Sequence, residues 1–136
     1  MPIGGRSHIR IARPSRDLAA AERFWINGLG LSVIWRHDGS DAPGEHALLM
    51  VGWPDADWHL ELVHDAHEPV EPRPTEEDLL VVYLEEQVPE DLVARLEEHG
   101  GKRVTSPNPY WNEWGVTVED PDGYRLVLCA RGWSNS

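Results

Sequence analysis

Residues 17–31, DLAAAERFWINGLGL, decide how the first half of the chain folds. Apolar residues recur in this stretch at spacings of three and four, which places them on one face of a helix; they are Leu18, Ala21, Trp25 and Leu29. Ser15 or Asp17 can cap the start of this helix, and Gly28 and Gly30 end it. The pattern therefore predicts a helix over about residues 17–27 that packs its apolar face against a sheet.

Strand-like segments lie on both sides of this helix. Residues 7–12, SHIRIA, alternate between polar and apolar side chains and predict a strand that ends before Pro14. Three more segments of strand length follow the helix, with a polar turn predicted at residues 38–44; they are residues 31–36, 46–51 and 58–64. The first half is therefore predicted to have the order β-α-β-β-β.

The second half repeats this order after a linker rich in Pro and Glu at residues 65–78. The predicted elements are a buried strand at 79–84, a helix at 89–99, and strands at 102–105, 113–118 and 124–129. Placing Gly30 against Gly100 or Gly101 sets the halves about 70 residues apart, which indicates a structural duplication.

The expected fold is α+β, with two tandem βαβββ modules in a single domain that spans residues 6–131. The first module covers about residues 7–64 and the second about residues 79–130. We expect the modules to form a curved, half-closed mixed sheet with helices outside, whose concave side is a ligand cup.

Composition limits the functions that this fold can serve. The chain has 136 residues, 40% of them apolar and 26% charged, as expected for one folded soluble domain. A net charge of −12 argues against nucleic acid as a partner, and no apolar run is long enough to span a membrane. The cytoplasm is the expected location. The single cysteine, Cys129, excludes an intrachain disulfide and is expected to be a buried, inert thiol.

Three segments resemble the vicinal oxygen chelate superfamily, which includes glyoxalase I, extradiol dioxygenases, fosfomycin-inactivating transferases and bleomycin-resistance proteins. They are residues 7–12, residues 17–31 with their Asp-Leu, aromatic pair and Leu-Gly-Leu, and residues 119–128, EDPDGYRLVL. The resemblance covers about residues 8–131. It implies a small-molecule ligand and a homodimer. Because this superfamily hosts unlike chemistries, the site has to decide the function.

The resemblance also implies a divalent metal, Zn, Ni, Fe or Mn, held by the first and last strands of each module. His8 and Glu61 match the family's first-module ligands and are the candidate metal-binding and catalytic residues. The second module does not match: residues 79–81 are apolar, Val127 stands where glyoxalase-type members have Glu, and Asp78 is the nearest replacement. The result is half of a metal site. Without metal, His8 and Glu61 could be a structural pair or a proton-transfer pair.

Strand alternation sorts the histidines of residues 58–67, WHLELVHDAH. His59 and Glu61 share one face of the strand, whereas His64 points to the other face. His46, on the neighbouring strand, is a second candidate for the same cup. His46 and His59 are therefore candidate ligand-binding residues, and for His59 a hydrogen-bonded role is favoured over metal ligation.

Residues 108–115, NPYWNEWG, place three aromatic side chains close together. Tyr110, Trp111 and Trp114 could bind a flat or cationic ligand at the mouth of the cup, and the acidic composition would favour a cation. The competing interpretation is that Trp114 belongs to the core and the other two cover a strand end.

Two main hypotheses follow for the function. The first is a bleomycin-resistance-like binding protein with an aromatic cup, an incomplete metal site and an aromatic or cationic ligand. The alternative is a metal-dependent lyase, isomerase or dioxygenase of the glyoxalase type that uses His8 and Glu61. A third is an interaction module without a ligand. The sequence leaves open whether the protein is an enzyme.

Overall fold

The computed structural model describes residues 2–39 and 46–136, so most of the turn predicted at 38–44 lies outside the described residues. In chain order the elements are β1 (Ile9–Pro14), α1 (Leu18–Glu22) with a π-helical continuation (Arg23–Gly28), β2 (Ser32–His37), β3 (Ala47–Gly52), β4 (Trp58–His64), β5 (Leu79–Tyr83), α2 (Glu90–Glu98), β6 (Lys102–Val104), α3 (Pro109–Trp114), β7 (Gly115–Glu119) and β8 (Arg125–Cys129). Within the described ranges, no helix is long and apolar enough to cross a membrane.

The strands form two four-stranded mixed sheets of the same topology, with the orders β1-β4-β3-β2 and β5-β8-β7-β6. In each sheet the first strand of the module lies parallel to the last, and the other neighbours are antiparallel. The prediction of an α+β fold built from two βαβββ modules is therefore confirmed. In place of one continuous curved sheet, the structure has two unclosed sheets.

One predicted strand begins later than expected. Residues 113–114 belong to α3, and β7 starts at Gly115. The helix forms because the Asn108 side chain accepts a hydrogen bond from the Tyr110 N–H at 3.0 Å, while Pro109 occupies the first turn, where its missing N–H does no harm.

The helix ends show the duplication directly. Asp17 caps α1 as predicted, accepting a hydrogen bond from the Ala20 N–H at 3.1 Å. Gly30 and Gly100 follow the helices of the two modules with φ of 95° and 97°, in the left-handed region that favours glycine. The backbone thus has the same helix-ending conformation about 70 residues apart, in agreement with the equivalence predicted from sequence.

One core joins the two modules, with members on both sheets and on the helices. Its buried side chains are Ala21, Phe24, Trp25, Leu31, Leu49, Val51, Leu60, Leu62, Val93, Leu96, Val118, Leu126 and Leu128. The helical layers touch each other, since Arg95 Nε donates to the Gly28 carbonyl at 2.8 Å. The helices therefore cover one face of each sheet, and the opposite faces look away from this core.

The turn that leads into β8 ties the modules together. Asp120 is 4% exposed and accepts a hydrogen bond from Trp25 Nε1 at 3.2 Å. Asp122 accepts from Ser15 Oγ at 2.6 Å and from the Arg16 N–H at 2.9 Å. Burial raises the pKa of Asp120 to about 6. This turn, which belongs to the segment EDPDGYRLVL at residues 119–128, therefore links the two modules.

Candidate functional site

The cup face of the first module is the sheet face opposite the core. In the parallel pairing of β1 with β4, Arg10 lies beside His59 and Ala12 beside Glu61. Glu61 in turn pairs with Met50, which pairs with Trp35 on the outer strand. Alternation adds further members of this face; they are Pro14, His37, Leu48 and Val63.

Four polar side chains on this face form one connected network. His8, which immediately precedes β1, brings its Nε2 to 2.6 Å from His59 Nδ1. Arg10 donates from Nε to His59 Nε2 at 3.2 Å, and its Nη1 lies 3.3 Å from Glu61 Oε1. The predicted site residues His8, His59 and Glu61 are therefore brought together, but Arg10 links the last two.

The contacts favour one placement of the protons in this network. Because Arg10 can only donate, His59 Nε2 accepts and the neutral ring of His59 carries its proton on Nδ1. That N–H then donates to His8 Nε2. Burial lowers the pKa of His59, and the neighbouring His8 and Arg10 lower it further, against the opposing effect of Glu61. The arrangement favours a neutral His59 that holds His8 and Arg10 in place.

The donor set does not fit a divalent ion. Both ring nitrogens of His59 are engaged, Glu61 contacts the Arg10 guanidinium, and a fixed cation next to a metal position opposes a second cation. In the described part of the chain, no three His, Cys, Asp or Glu side chains are grouped so that they could hold a metal ion.

Arg10 is the member of this network that the sequence pattern did not indicate. Alternation along residues 7–12 already placed it on the same face as His8. The parallel neighbour that sets Arg10 beside His59 could have been found from the βαβββ topology. The signal was overlooked because a search for metal ligands passes over arginine.

A cavity of about 410 Å³ adjoins this network at the other end of β1 and β4. Its walls are mainly apolar and are formed by Ala12, Arg13, Pro14, His46, Val63, Asp65, Glu68 and Val70. His46 Nδ1 lies 3.3 Å from Asp65 Oδ2 at the rim. Hydrogen bonds from the backbone N–H groups of His67 and Glu68 lower the pKa of Asp65, so the rim carries a carboxylate. The structure thus places His46 at a pocket on the cup face.

The same face of the second module lacks such a network. Val127, at the position equivalent to a family Glu, is fully buried and pairs with Val81 and Thr117. On this face of the second module an ion pair joins Arg125 Nη2 to Glu119 Oε2 at 3.3 Å. His64, predicted to point away from Glu61, contacts the Ser15 carbonyl at 3.0 Å, and Cys129 is buried as predicted.

The three predicted aromatic residues lie on α3 of the second module. Trp111 lines a cavity of about 400 Å³ together with Leu79 and Asn108. Trp114 lines a different cavity of about 380 Å³ beside α2, and the Arg131 guanidinium stacks 4.6 Å from its ring centre. Tyr110 packs edge-on against Trp111 with ring centres 5.0 Å apart. Neither cavity includes the residues of the His8 network.

Sequence comparisons agree with the two-module structure. Residues 9–63 match the family model described as the YycE-like N-terminal domain, and residues 77–130 match the YycE-like C-terminal domain. The protein YycE of Bacillus subtilis (strain 168) is 39% identical over 126 residues, which cover 90% of this chain and 86% of that protein.

Solved structures extend the comparison. A crystal structure of the Bacillus subtilis YycE protein is 37% identical, with a TM-score of 0.80 over 96% of this chain and 95% of that one. A glyoxalase I from Leishmania major shares the fold at 20% identity, with a TM-score of 0.66 over 90% and 84% of the two chains. An antibiotic-binding protein from Streptomyces sp. CB03234 shares it at 22% identity, with a TM-score of 0.58 over 93% and 98%. The chain therefore belongs to the YycE-like family, within the vicinal oxygen chelate superfamily.

Proposed function

We propose that this protein binds a small organic molecule on the cup face of its first module and that it does so without a metal ion. The observation that carries the proposal is the apolar cavity that adjoins the network of His8, Arg10, His59 and Glu61. Binding sites for small molecules combine mainly apolar walls with a few fixed polar groups. This face offers both within one sheet.

The chemistry of the cavity favours a ligand with an apolar or aromatic body and a positive group. Ala12, Pro14 and Val63 supply a flat apolar floor, because they project from neighbouring strands on the same face. Asp65 and Glu68 add negative charge at the rim. A cation at the rim would pair with these carboxylates while its apolar part displaces water from the floor.

The relatives support this class of function. The antibiotic-binding protein from Streptomyces shares the fold, and by its name it binds a small molecule. We propose the same general role here, in the manner of a bleomycin-resistance-like protein, with the identity of the ligand determined by this chain's own cup.

Tryptophan fluorescence tests the proposal. Trp35 is 57% exposed on the cup face and serves as the reporter. The probes are 9-aminoacridine, a flat aromatic cation at neutral pH, and the uncharged acridine, in a buffer that contains a chelator. We expect saturable quenching, with tighter binding of the cation. The Trp35→Phe variant should show a smaller quenching amplitude at the same apparent affinity.

Two control variants make this test specific. Trp133→Phe removes an indole that is 75% exposed near the end of the chain, and it should leave the titration unchanged. Ala12→Phe fills the cavity floor and should weaken binding at least about tenfold, since a displaced ligand loses its apolar contact. Quenching that does not saturate, or that persists unchanged in Ala12→Phe, would contradict the proposal.

The metal-dependent alternative requires a different arrangement of the same residues. His8 and Glu61 would have to leave His59 and Arg10 before they could share an ion. A stoichiometric divalent ion in the purified protein that disappears in His8→Ala or Glu61→Ala would favour this alternative over the proposed metal-free binding.

We also propose that the protein forms a homodimer. Exposed apolar side chains on the edge strands support this, since Ile9 is 59% exposed on β1 and Trp35 57% exposed on β2. Light scattering of the eluted protein should give twice the chain mass of 15.4 kDa. A mass of one chain at micromolar concentration would exclude this assembly.

A further inference from the structure

One cation stands at the centre of the polar network. Arg10 contacts His59 with Nε and Glu61 with Nη1, so a single side chain links an imidazole nitrogen and a carboxylate oxygen. Those two atom types are the ones that a divalent ion of the superfamily would use. The guanidinium therefore contacts the nitrogen and oxygen atoms that a metal ion would need as ligands.

We infer that Arg10 is a fixed cation that takes the place of the metal ion in this cup, and that this one residue keeps divalent metals out. This inference goes beyond the proposed ligand binding, because it assigns the cause of the missing metal site to the first module itself.

Charge supports the inference first. The cationic guanidinium brings Nη1 to 3.3 Å from Glu61 Oε1 and so offsets the charge of this carboxylate. A divalent ion that approached Glu61 would have to displace this half-exposed guanidinium and would be repelled by it. The loss of a second-module ligand alone would weaken metal binding but would not oppose it in this way.

Register supports it independently. Arg10 is the direct neighbour of His59 on the parallel strand, and Glu61 is the neighbour of Ala12, two positions farther along the same face. A shorter metal-binding side chain at position 10 would project between His59 and Glu61. The backbone therefore already has the geometry for three donors on two adjacent strands, and Arg10 occupies the third position.

A cobalt titration of the untagged protein tests this inference. Co²⁺ bound by nitrogen and oxygen donors gives visible absorption bands that aqueous Co²⁺ shows only weakly. The wild type should show no saturable bands. Arg10→His should bind one equivalent at least about tenfold more tightly than the wild type, and Arg10→His combined with Glu61→Gln should lose this gain.

Arg36→His is the matched control. In the wild type, Arg36 is exposed on β2 and pairs with Glu22, away from the network. The substitution therefore adds a histidine and removes an arginine at a site without His59 or Glu61. It should behave as the wild type does. If Arg10→His does not fold, Arg10→Gln replaces it, because Gln removes the charge without adding a metal ligand. Arg10→Gln should still bind Co²⁺ more tightly than the wild type.

Two results would overturn the inference. One is saturable Co²⁺ binding by the wild type that Glu61→Gln abolishes, since the guanidinium would then not exclude the metal. The other is a folded Arg10→His or Arg10→Gln variant that binds Co²⁺ no better than the wild type. Neither result depends on the acridine titrations, so failure of this inference is distinguishable from failure of the proposed ligand binding.

Discussion

The two modules share one topology but present opposite chemistries on their cup faces. In the first module, β1 and β4 carry the polar network of His8, Arg10, His59 and Glu61. In the second, the equivalent strands β5 and β8 carry mainly Leu79, Val81, Val127 and Cys129 on this face, and Arg125 at the start of β8 pairs with Glu119. The pairing of strands is the same in both, with a parallel first and last strand. The backbone order thus does not depend on which side chains face the cup.

The core-facing side chains of the same strands explain why both modules keep the same strand order. Leu60 and Leu62 of β4 are fully buried against the helices, and so are Leu126 and Leu128 of β8. These core-facing positions carry the same residue type in both modules because burial of apolar area stabilises each sheet on its helix. The cup-facing positions differ between the modules in burial as well as in chemistry, since the Arg10 side chain is 53% exposed whereas Val127 and Cys129 are fully buried.

Exchanging the residue types of the equivalent cup-facing positions 61 and 127 should give the largest effect on the free energy of unfolding. Val127→Glu places a carboxylate at a fully buried position whose strand neighbours are Val81 and Thr117. We expect a loss of about 3 kcal/mol or more in the free energy of unfolding, measured by urea denaturation, because burial removes the new carboxylate from water, and Arg125, two positions away on the same face, already pairs with Glu119.

Glu61→Val is the matched exchange in the first module. It removes one partner of Arg10, whose side chain is 53% exposed and remains hydrated. The expected loss is within about 1 kcal/mol. Equal losses in the two variants would show that the cup faces are not as different as their burial indicates.

The contact of Asp120 with Trp25, which joins the two modules, should have the second largest effect on the free energy of unfolding. This effect depends on pH. Burial raises the pKa of Asp120 from 3.8 to about 6, so the folded state binds a proton more tightly than the unfolded state. The stabilisation is present below about pH 4 and is lost as the pH rises through about 6. At 1.36 kcal/mol per pKa unit, its upper limit is about 3 kcal/mol.

Asp120→Asn should remove this pH dependence while keeping an oxygen that can accept from Trp25. Urea denaturation at several pH values between 4 and 7 measures the change. Asp55→Asn, at an exposed position in the β3–β4 loop, is the control and should follow the wild type. A wild-type slope that survives in Asp120→Asn would assign the pH dependence to other groups.

Local patterns in the sequence were sufficient to predict the fold. The helix at 17–27, the glycine stops and the alternating strands each depend on near neighbours, and the repeated order then fixed two modules. The start of β7 was wrong by two residues because the Asn108 cap and Pro109 favour a short helix, which strand propensity alone does not reveal.

The site was less predictable, because contacts between strands depend on register. Sequence alternation correctly separated His59 from His64, and the family resemblance singled out His8 and Glu61. Neither showed that Arg10 lies between His59 and Glu61, since that contact requires the parallel pairing of β1 with β4. The tie between Asp122 and Ser15 spans 107 positions and was likewise beyond any local pattern.

The smallest expected effect is the pH dependence that His59 of the polar cup adds to the free energy of unfolding. The pKa of His59 is lowered, chiefly by burial, so this group stabilises the fold above the usual histidine value of 6.5, and the stabilisation is lost as the pH falls through its folded pKa. The pH dependence from His59 is therefore opposite in direction to that from Asp120.

In the Asp120→Asn background, stability should therefore fall on acidification below pH 6.5. Adding His59→Gln should flatten that decline more than adding His67→Gln, which replaces an exposed histidine after β4. Urea denaturation of the three variants measures this. A decline as steep with His59→Gln as without it would mean that the network of Arg10, His59 and Glu61 does not hold His59 neutral.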